Sequence, residues 1–193
     1  MTAALTLLLA QGLLGAFDTL WYHEWRARLP ASPAARTELC LHAARAFTYA
    51  VVFGGLGWFA WTGLMALVLA TILLFEIGIT LWDFIEEDET RRLPAGERVM
   101  HTIMAIIYGA FLAHLVPEMM GWWQLPTGMT WVDHGIFTWL MSGLAAGVFL
   151  SGLRDLLASF AIRIPAQYSP LHPVKQSLLD DLAIRTRTKK PFP

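Results

Sequence analysis

Four stretches of this 193-residue chain carry acids and imidazoles at spacings that put them on one face of a helix. At 3.6 residues per turn, Glu38, His42, Arg45 and Tyr49 step by four, three and four and form one stripe. Glu97, His101, Met104 and Tyr108 repeat that stripe. Glu76, Asp83 and Glu87 step by seven and four, while Gln11 and Asp18 lie seven apart with Tyr22, His23 and Glu24 just beyond. Several carboxylates at close quarters cannot all ionise without compensation. Two divalent cations would compensate most of them, and carboxylate with imidazole is a donor set for iron, manganese or zinc. The candidate ligands are Asp18, Glu24, Glu38, His42, Asp83, Glu87, Glu97 and His101, with Arg45 as a charge partner at the cofactor. Tyr49 and Tyr108 are candidates to relay protons or electrons. Glu76 lies about 10 Å deeper than Asp83 at 1.5 Å per residue. It is a catalytic candidate of its own, because an acid inside a membrane is by default functional.

The elements that must position these groups are membrane spans. The chain is 56% hydrophobic and only 15% charged, against about 25% charge in a soluble domain. A net charge of −1 excludes a nucleic-acid partner on electrostatic grounds, and the single Cys40 excludes a disulfide scaffold. Five stretches reach the roughly 20 apolar residues that a transmembrane helix needs: Thr2–Tyr22, Cys40–Trp58, Gly63–Phe84, Met100–Met120 and Val132–Phe160. The first lacks a basic leader and a small-residue cleavage site, so it reads as a retained span. All fourteen Lys and Arg fall on one side of this arrangement, which predicts that side to be cytoplasmic, with the N-terminus outside and the C-terminus inside. Trp21, Trp25 and Trp82 then mark the inner interface, and Trp58, Trp61, Trp122, Trp123 and Trp131 the outer one. Polar stripes facing lipid cost roughly 2.5–3.5 kcal/mol per central carboxylate on insertion scales, so the four stripes are expected to face one another inside a four-helix bundle.

The chain also matches itself. Asp18, Arg28-Leu29-Pro30, Glu38, His42 and Tyr49 recur in order as Asp83, Arg92-Leu93-Pro94, Glu97, His101 and Tyr108, with offsets of 65, 64 and 59. This predicts two parallel helical hairpins (repeat A, 1–59; repeat B, 63–121) about a pseudo-two-fold axis along the membrane normal, as occurs in other membrane proteins. A fifth span, 132–160, is appended, and 161–193 is a cytoplasmic tail of a five-span domain 1–160. Arg-Leu-Pro after a helix is a stop signal, since Pro disfavours helix at the residue before it. In the fifth span Gly143, Gly147 and Ser151 recur every four residues, a face that lets another helix approach, either within the chain or in a homo-oligomer.

The donor set resembles that of di-iron carboxylate bundles, in which two helices each give one Glu and two give Glu-x-x-His; here the spacing is Glu-x-x-x-His. Glu86-Glu87-x-x-x-Arg91 resembles one element of the CAAX-protease-like membrane family, whose later Phe-x-x-x-His element the chain does not carry. The function expected from these residues is a membrane oxidoreductase with two divalent metals, iron before manganese or zinc. It would activate O₂ or water against a lipophilic small molecule or lipid at the inner boundary of a bacterial inner membrane, served by a redox partner protein. Two alternatives stand beside it. One is a divalent-metal or proton transporter; the other is a quinone-binding subunit with a b-type haem held by His42 and His101. His114, Glu118, Asp133 and His134 form a smaller polar group at the opposite side, read as interfacial before metal- or quinone-binding.

Overall fold

The computed structural model of the chain describes residues 1–32 and 35–161. Of the expected tail, 161–193, Ala161 ends the last helix and the rest lies outside them. Among the described residues five helical segments are long and apolar enough to cross a membrane, which marks the chain as a membrane protein. They are α1 Thr2–Asp18 with its continuation to Arg26, α2 Arg36–Trp58, α3 Leu64–Thr90, α4 Ala95–Trp123 and α5 Ile136–Ala161. Three of them run past the apolar stretches at the charged end. Glu38 and Glu97 sit in the first turns of α2 and α4, where a carboxylate is favoured by the positive end of the helix dipole. Glu87, expected on one stripe with Glu76 and Asp83, is buried in the last turns of α3.

The first span departs from α-helix at its charged end. Thr19–Arg26 forms a π-helix that continues α1. Its hydrogen bonds join residues five apart, so a residue five beyond Asp18 comes back toward the face that Asp18 occupies. A three-residue 3₁₀ turn, Leu29–Ala31, then leads towards α2.

At the other end the two connections expected as plain loops pair with each other. β1 Phe59–Thr62 and β2 Gly128–Trp131 form an antiparallel ladder with Phe59 opposite Trp131 and Thr62 opposite Gly128. Thr62 donates its hydroxyl to the carbonyls of Pro126 and Gly128 at 2.8 and 2.9 Å. Gly63 follows at φ +56, and a Cβ there would stand 2.5 Å from the Thr127 Cα, so both its conformation and its neighbour require glycine. Trp61, expected at the interface, is buried against Gly55.

The apolar core runs between the helices through Leu5, Leu8, Val52, Phe53, Leu56, Leu69, Phe111 and Leu115, while Leu74, Phe75, Ile106, Leu150 and Phe160 point outward. α1 packs on α4, α2 on α3, and α5 most extensively on α2. The α5 contact uses a face other than the expected small-residue stripe. A Cβ on Gly57 would lie 2.7 Å from the Met141 Cβ, and one on Gly152 would lie 2.8 Å from the Ala46 Cβ. Nothing comes within 4 Å of a Cβ built on Gly143 or Gly147. Backbone-attached atoms cannot swing aside, so Gly57→Ala or Gly152→Ala should each cost about 1–3 kcal/mol by overpacking. Gly147→Ala should instead gain about 0.5–1 kcal/mol of helix propensity. Thermal unfolding of the three purified variants separates these signs.

Candidate metal centre

The charged ends of the π-helix, α2, α3 and α4 meet in one buried cluster. Asp18, His23, Glu38, His42, Asp83, Glu87, Glu97 and His101 are each at most 8% exposed. Of the eight ligands expected from sequence, seven gather here. Glu24 does not: it pairs with Arg154 of α5. The π-helix exchanges the two neighbours, turning Glu24 away and His23 in. His23 was passed over because α-helical spacing puts it off the Asp18 stripe. The repeat held a signal for it, since the 64-residue offset of the Arg-Leu-Pro triplets carries His23 onto Glu87.

Two groups of donors within the cluster have ligand atoms that all lie within 4.8 Å of one another: His23, Glu87, Glu97 and His101, and Glu38, His42 and Glu87. Glu87 belongs to both. Asp18 and Asp83 stand against the imidazoles. The Asp18 Oδ2 is 3.3 Å from the His101 Nε2 and 3.4 Å from the His23 Nε2, and the Asp83 Oδ2 is 3.2 Å from the His42 Nε2. The His23 and His42 rings stack with centroids 4.5 Å apart. Five buried carboxylate oxygens of the cluster, Asp18 Oδ1, Glu38 Oε2, both of Asp83 and Glu87 Oε2, receive no hydrogen bond from the described residues. A buried carboxylate oxygen without a donor is costly, and a cation is the partner that suits it.

Two guanidiniums enter the cluster. Arg45 places Nη1 2.8 Å from the Asp83 Oδ2. Arg91, between α3 and α4, donates from Nη2 to Glu38 at 3.0 Å, Glu87 at 3.2 Å and Glu97 at 2.6 Å. Its Nη1 reaches the second Glu97 oxygen at 3.0 Å. Burial opposes the Arg91 charge, but its hydrogen bonds to Glu97 and Glu38 and their charges outweigh it and raise its pKa above the ordinary guanidinium value. Five buried carboxylates thus face two guanidiniums and three imidazoles.

Deeper along the helices lies a second polar layer. Gln11 Nε2 is 3.4 Å from the Tyr49 hydroxyl, and Thr80 donates to the buried Glu76 at 2.8 Å. Tyr49 and Tyr108 meet edge to face at 6.2 Å between centroids. The Gln11 Oε1 and the Tyr108 hydroxyl have no partner among the described residues. Both layers open on one cavity of about 500 Å³ lined by Asp18, His42, Arg45, Tyr49, Glu76, His101 and Tyr108 together with apolar side chains.

The polar group at the sheet end does not converge. His114 is exposed, Glu118 pairs with the Met1 ammonium, and Asp133 accepts from the Gly135 amide at 2.7 Å. Partial burial and the Met1 ammonium hold the His134 imidazole below its ordinary pKa. Comparison of the chain with protein-family models, with curated proteins and with solved structures found no match.

Proposed function

We propose that the chain is an integral-membrane binuclear metal oxidoreductase of the di-iron carboxylate type, acting on a lipophilic substrate at the cytoplasmic boundary of a bacterial inner membrane. Glu87 carries the proposal. It lies in both donor groups, so its carboxylate can bridge two cations, one also held by His23, Glu97 and His101 and the other by Glu38 and His42. Asp18 and Asp83 fit the role of carboxylates that fix the orientation and tautomer of a metal-binding imidazole. Iron is preferred because carboxylate-rich, histidine-poor paired sites suit its redox cycling; iron would supply oxidation by O₂, whereas zinc would supply hydrolysis by drawing the pKa of water towards ~7. Tyr49, Tyr108 and Glu76 line the substrate cavity and pass protons or electrons between substrate and cluster, with a redox partner protein as the electron source.

The reading includes the duplicated bundle. Exchanging the two hairpins turns the α1–α4 contact into the α3–α2 contact, and both are extensive. It also turns Asp18 against His101, at 3.3 Å, into Asp83 against His42, at 3.2 Å. These reciprocal pairs support a pseudo-two-fold relation with α5 added to one side. Orientation follows from Lys and Arg. Arg26, Arg28, Arg36, Arg91, Arg92 and Arg98 all stand at the cluster end of their helices, so the cluster faces the cytoplasm.

A cation transporter is the second reading, favoured by Gln11 and Glu76, which extend the polar lane beyond the cluster. Metal uptake into proteoliposomes that Glu76→Gln abolishes would favour it. For the haem reading, His42 already stacks on His23 among five carboxylates, a setting better suited to bare cations than to a porphyrin. Elemental analysis and absorption spectroscopy of the purified chain test the proposal. Two irons per chain without haem absorption are expected, both lost in His42→Ala/His101→Ala. A wild-type chain that takes up no metal overturns it.

A further inference from the structure

The cavity above the cluster reaches the membrane through a window between α1 and α5. Towards the sheet, the two helices touch where a Cβ on Gly12 would stand 2.7 Å from the Leu144 Cδ1. Towards the other end they are joined again by the Glu24–Arg154 ion pair. From Leu144 to Arg154 is about 15 Å of helix at 1.5 Å per residue. Within that span small residues line the cavity, Gly15 and Ala16 on α1, Thr19 at the start of the π-helix, and Gly147 and Ser151 on α5, with Leu20 and Val148 beside them. A Cβ on Gly15 or on Gly147 would meet nothing within 4 Å. At the floor lies Asp18, 2% exposed, with its Oδ1 unpartnered, and beyond it the Tyr108 hydroxyl and the Gln11 carbonyl.

We infer that this window admits a single-chain lipid whose head is an uncharged hydroxyl or carbonyl group; the inference rests on the proposed metal centre for what becomes of the head, not for its binding. The framing contacts leave room for one hydrocarbon chain between two helices, and a cavity of about 500 Å³ lies in the range that encloses a drug-sized ligand. Among the described residues an anionic head finds no free cation there. Arg45 is paired with Asp83, and Arg154 with Glu24 and Asp155, while Asp18 and Glu76 repel it. A hydroxyl head can donate to the Gln11 Oε1 and accept from Tyr108, two groups in the deeper polar layer that lack partners among the described residues. Gly15 and Gly147 are then specificity-determining residues: their missing side chains are the opening.

The test is photolabelling of the full chain in nanodiscs with a diazirine-bearing C16 alcohol, the corresponding C16 carboxylate, and a phosphatidylcholine carrying the same group. The alcohol should label wild type at least tenfold more than either comparison lipid. Gly147→Phe should reduce that labelling at least tenfold, and Gly15→Phe, from the opposite wall, should do the same. Gly78→Phe, on the exposed face of α3 where a Cβ meets nothing within 4 Å, should leave it unchanged. Equal labelling in both glycine variants, loss in Gly78→Phe alone, or preference for the carboxylate or phosphatidylcholine overturns the inference. Metal content measured on the same samples separates the two readings. A chain with two metals that ignores the alcohol removes the window alone, and a metal-free chain that takes the alcohol removes the metal centre alone.

Discussion

Glu87→Gln should leave the purified chain with neither metal tightly bound, whereas Glu38→Gln should leave it with one. The amide keeps the shape of the carboxylate and can still accept the Arg91 hydrogen bond, now 3.2 Å long, so the helices need not move. What it loses is the negative charge and the ability to bridge. Loss of one outer partner of a metal ligand typically costs 10–100-fold in affinity, so removing a shared ligand should cost on the order of 100-fold or more at each position. Glu38 belongs to only one of the two groups, and its loss should spare the position held by His23, Glu97 and His101. Inductively coupled plasma analysis after dialysis against a weak chelator reads the stoichiometry directly. Two metals retained in Glu87→Gln would remove the bridging role, and equal losses in the two variants would remove the division into two positions.

Arg91→Met in chelator-treated protein should lower the melting temperature by about 10 °C. Arg91 is the only guanidinium among the described residues that reaches Glu38, Glu87 and Glu97, and Met fills similar volume without its charge. Removing one partner of a buried ion pair costs about 3–5 kcal/mol because the other charge stays buried and unpaired. In a chain of this length each kcal/mol shifts the midpoint by roughly 2–4 °C. Added iron should close most of the gap between variant and wild type, since cations at the same carboxylates replace the lost charge and stabilise the folded chain by mass action. An unchanged midpoint in chelator would mean that Arg91 is not what balances these acids; a gap that iron leaves open would mean that the metals bind elsewhere.

The spans, the charge asymmetry and most of the acid–imidazole cluster were legible because each rests on a short-range rule. Helical spacing puts Glu38 with His42 and Glu97 with His101, and burying polar faces brings four such helices together. Glu24 was taken as a ligand and His23 was not, although at 3.6 residues per turn neither lies on the Asp18 stripe; the π-helix decides which of the two turns in, and no local propensity in Thr19–Arg26 announces it. Glu87 was legible because it stands four residues beyond Asp83 on one stripe; the helix continues through it, and Arg91 compensates its burial. The β1–β2 pairing was hidden for another reason. Its strands lie 65 or more residues apart and are four residues long each, too short to give an alternating pattern. The stripe Gly143, Gly147 and Ser151 allowed either a contact within the chain or one between copies; the contact of α5 with α2 uses Met141 and Gly152 instead, since small residues serve equally to let a helix approach and to keep a space open.

The ladder between β1 and β2 makes the two ends of the molecule mechanically unlike. At that end the crossovers are tied by main-chain hydrogen bonds, which are indifferent to pH, salt or ions. At the far end buried acids, imidazoles and guanidiniums join the helices beside a small apolar cluster of Leu29, Ala35 and Leu39. A change in the charge count there should therefore loosen or tighten that end first, while the strand-paired end holds.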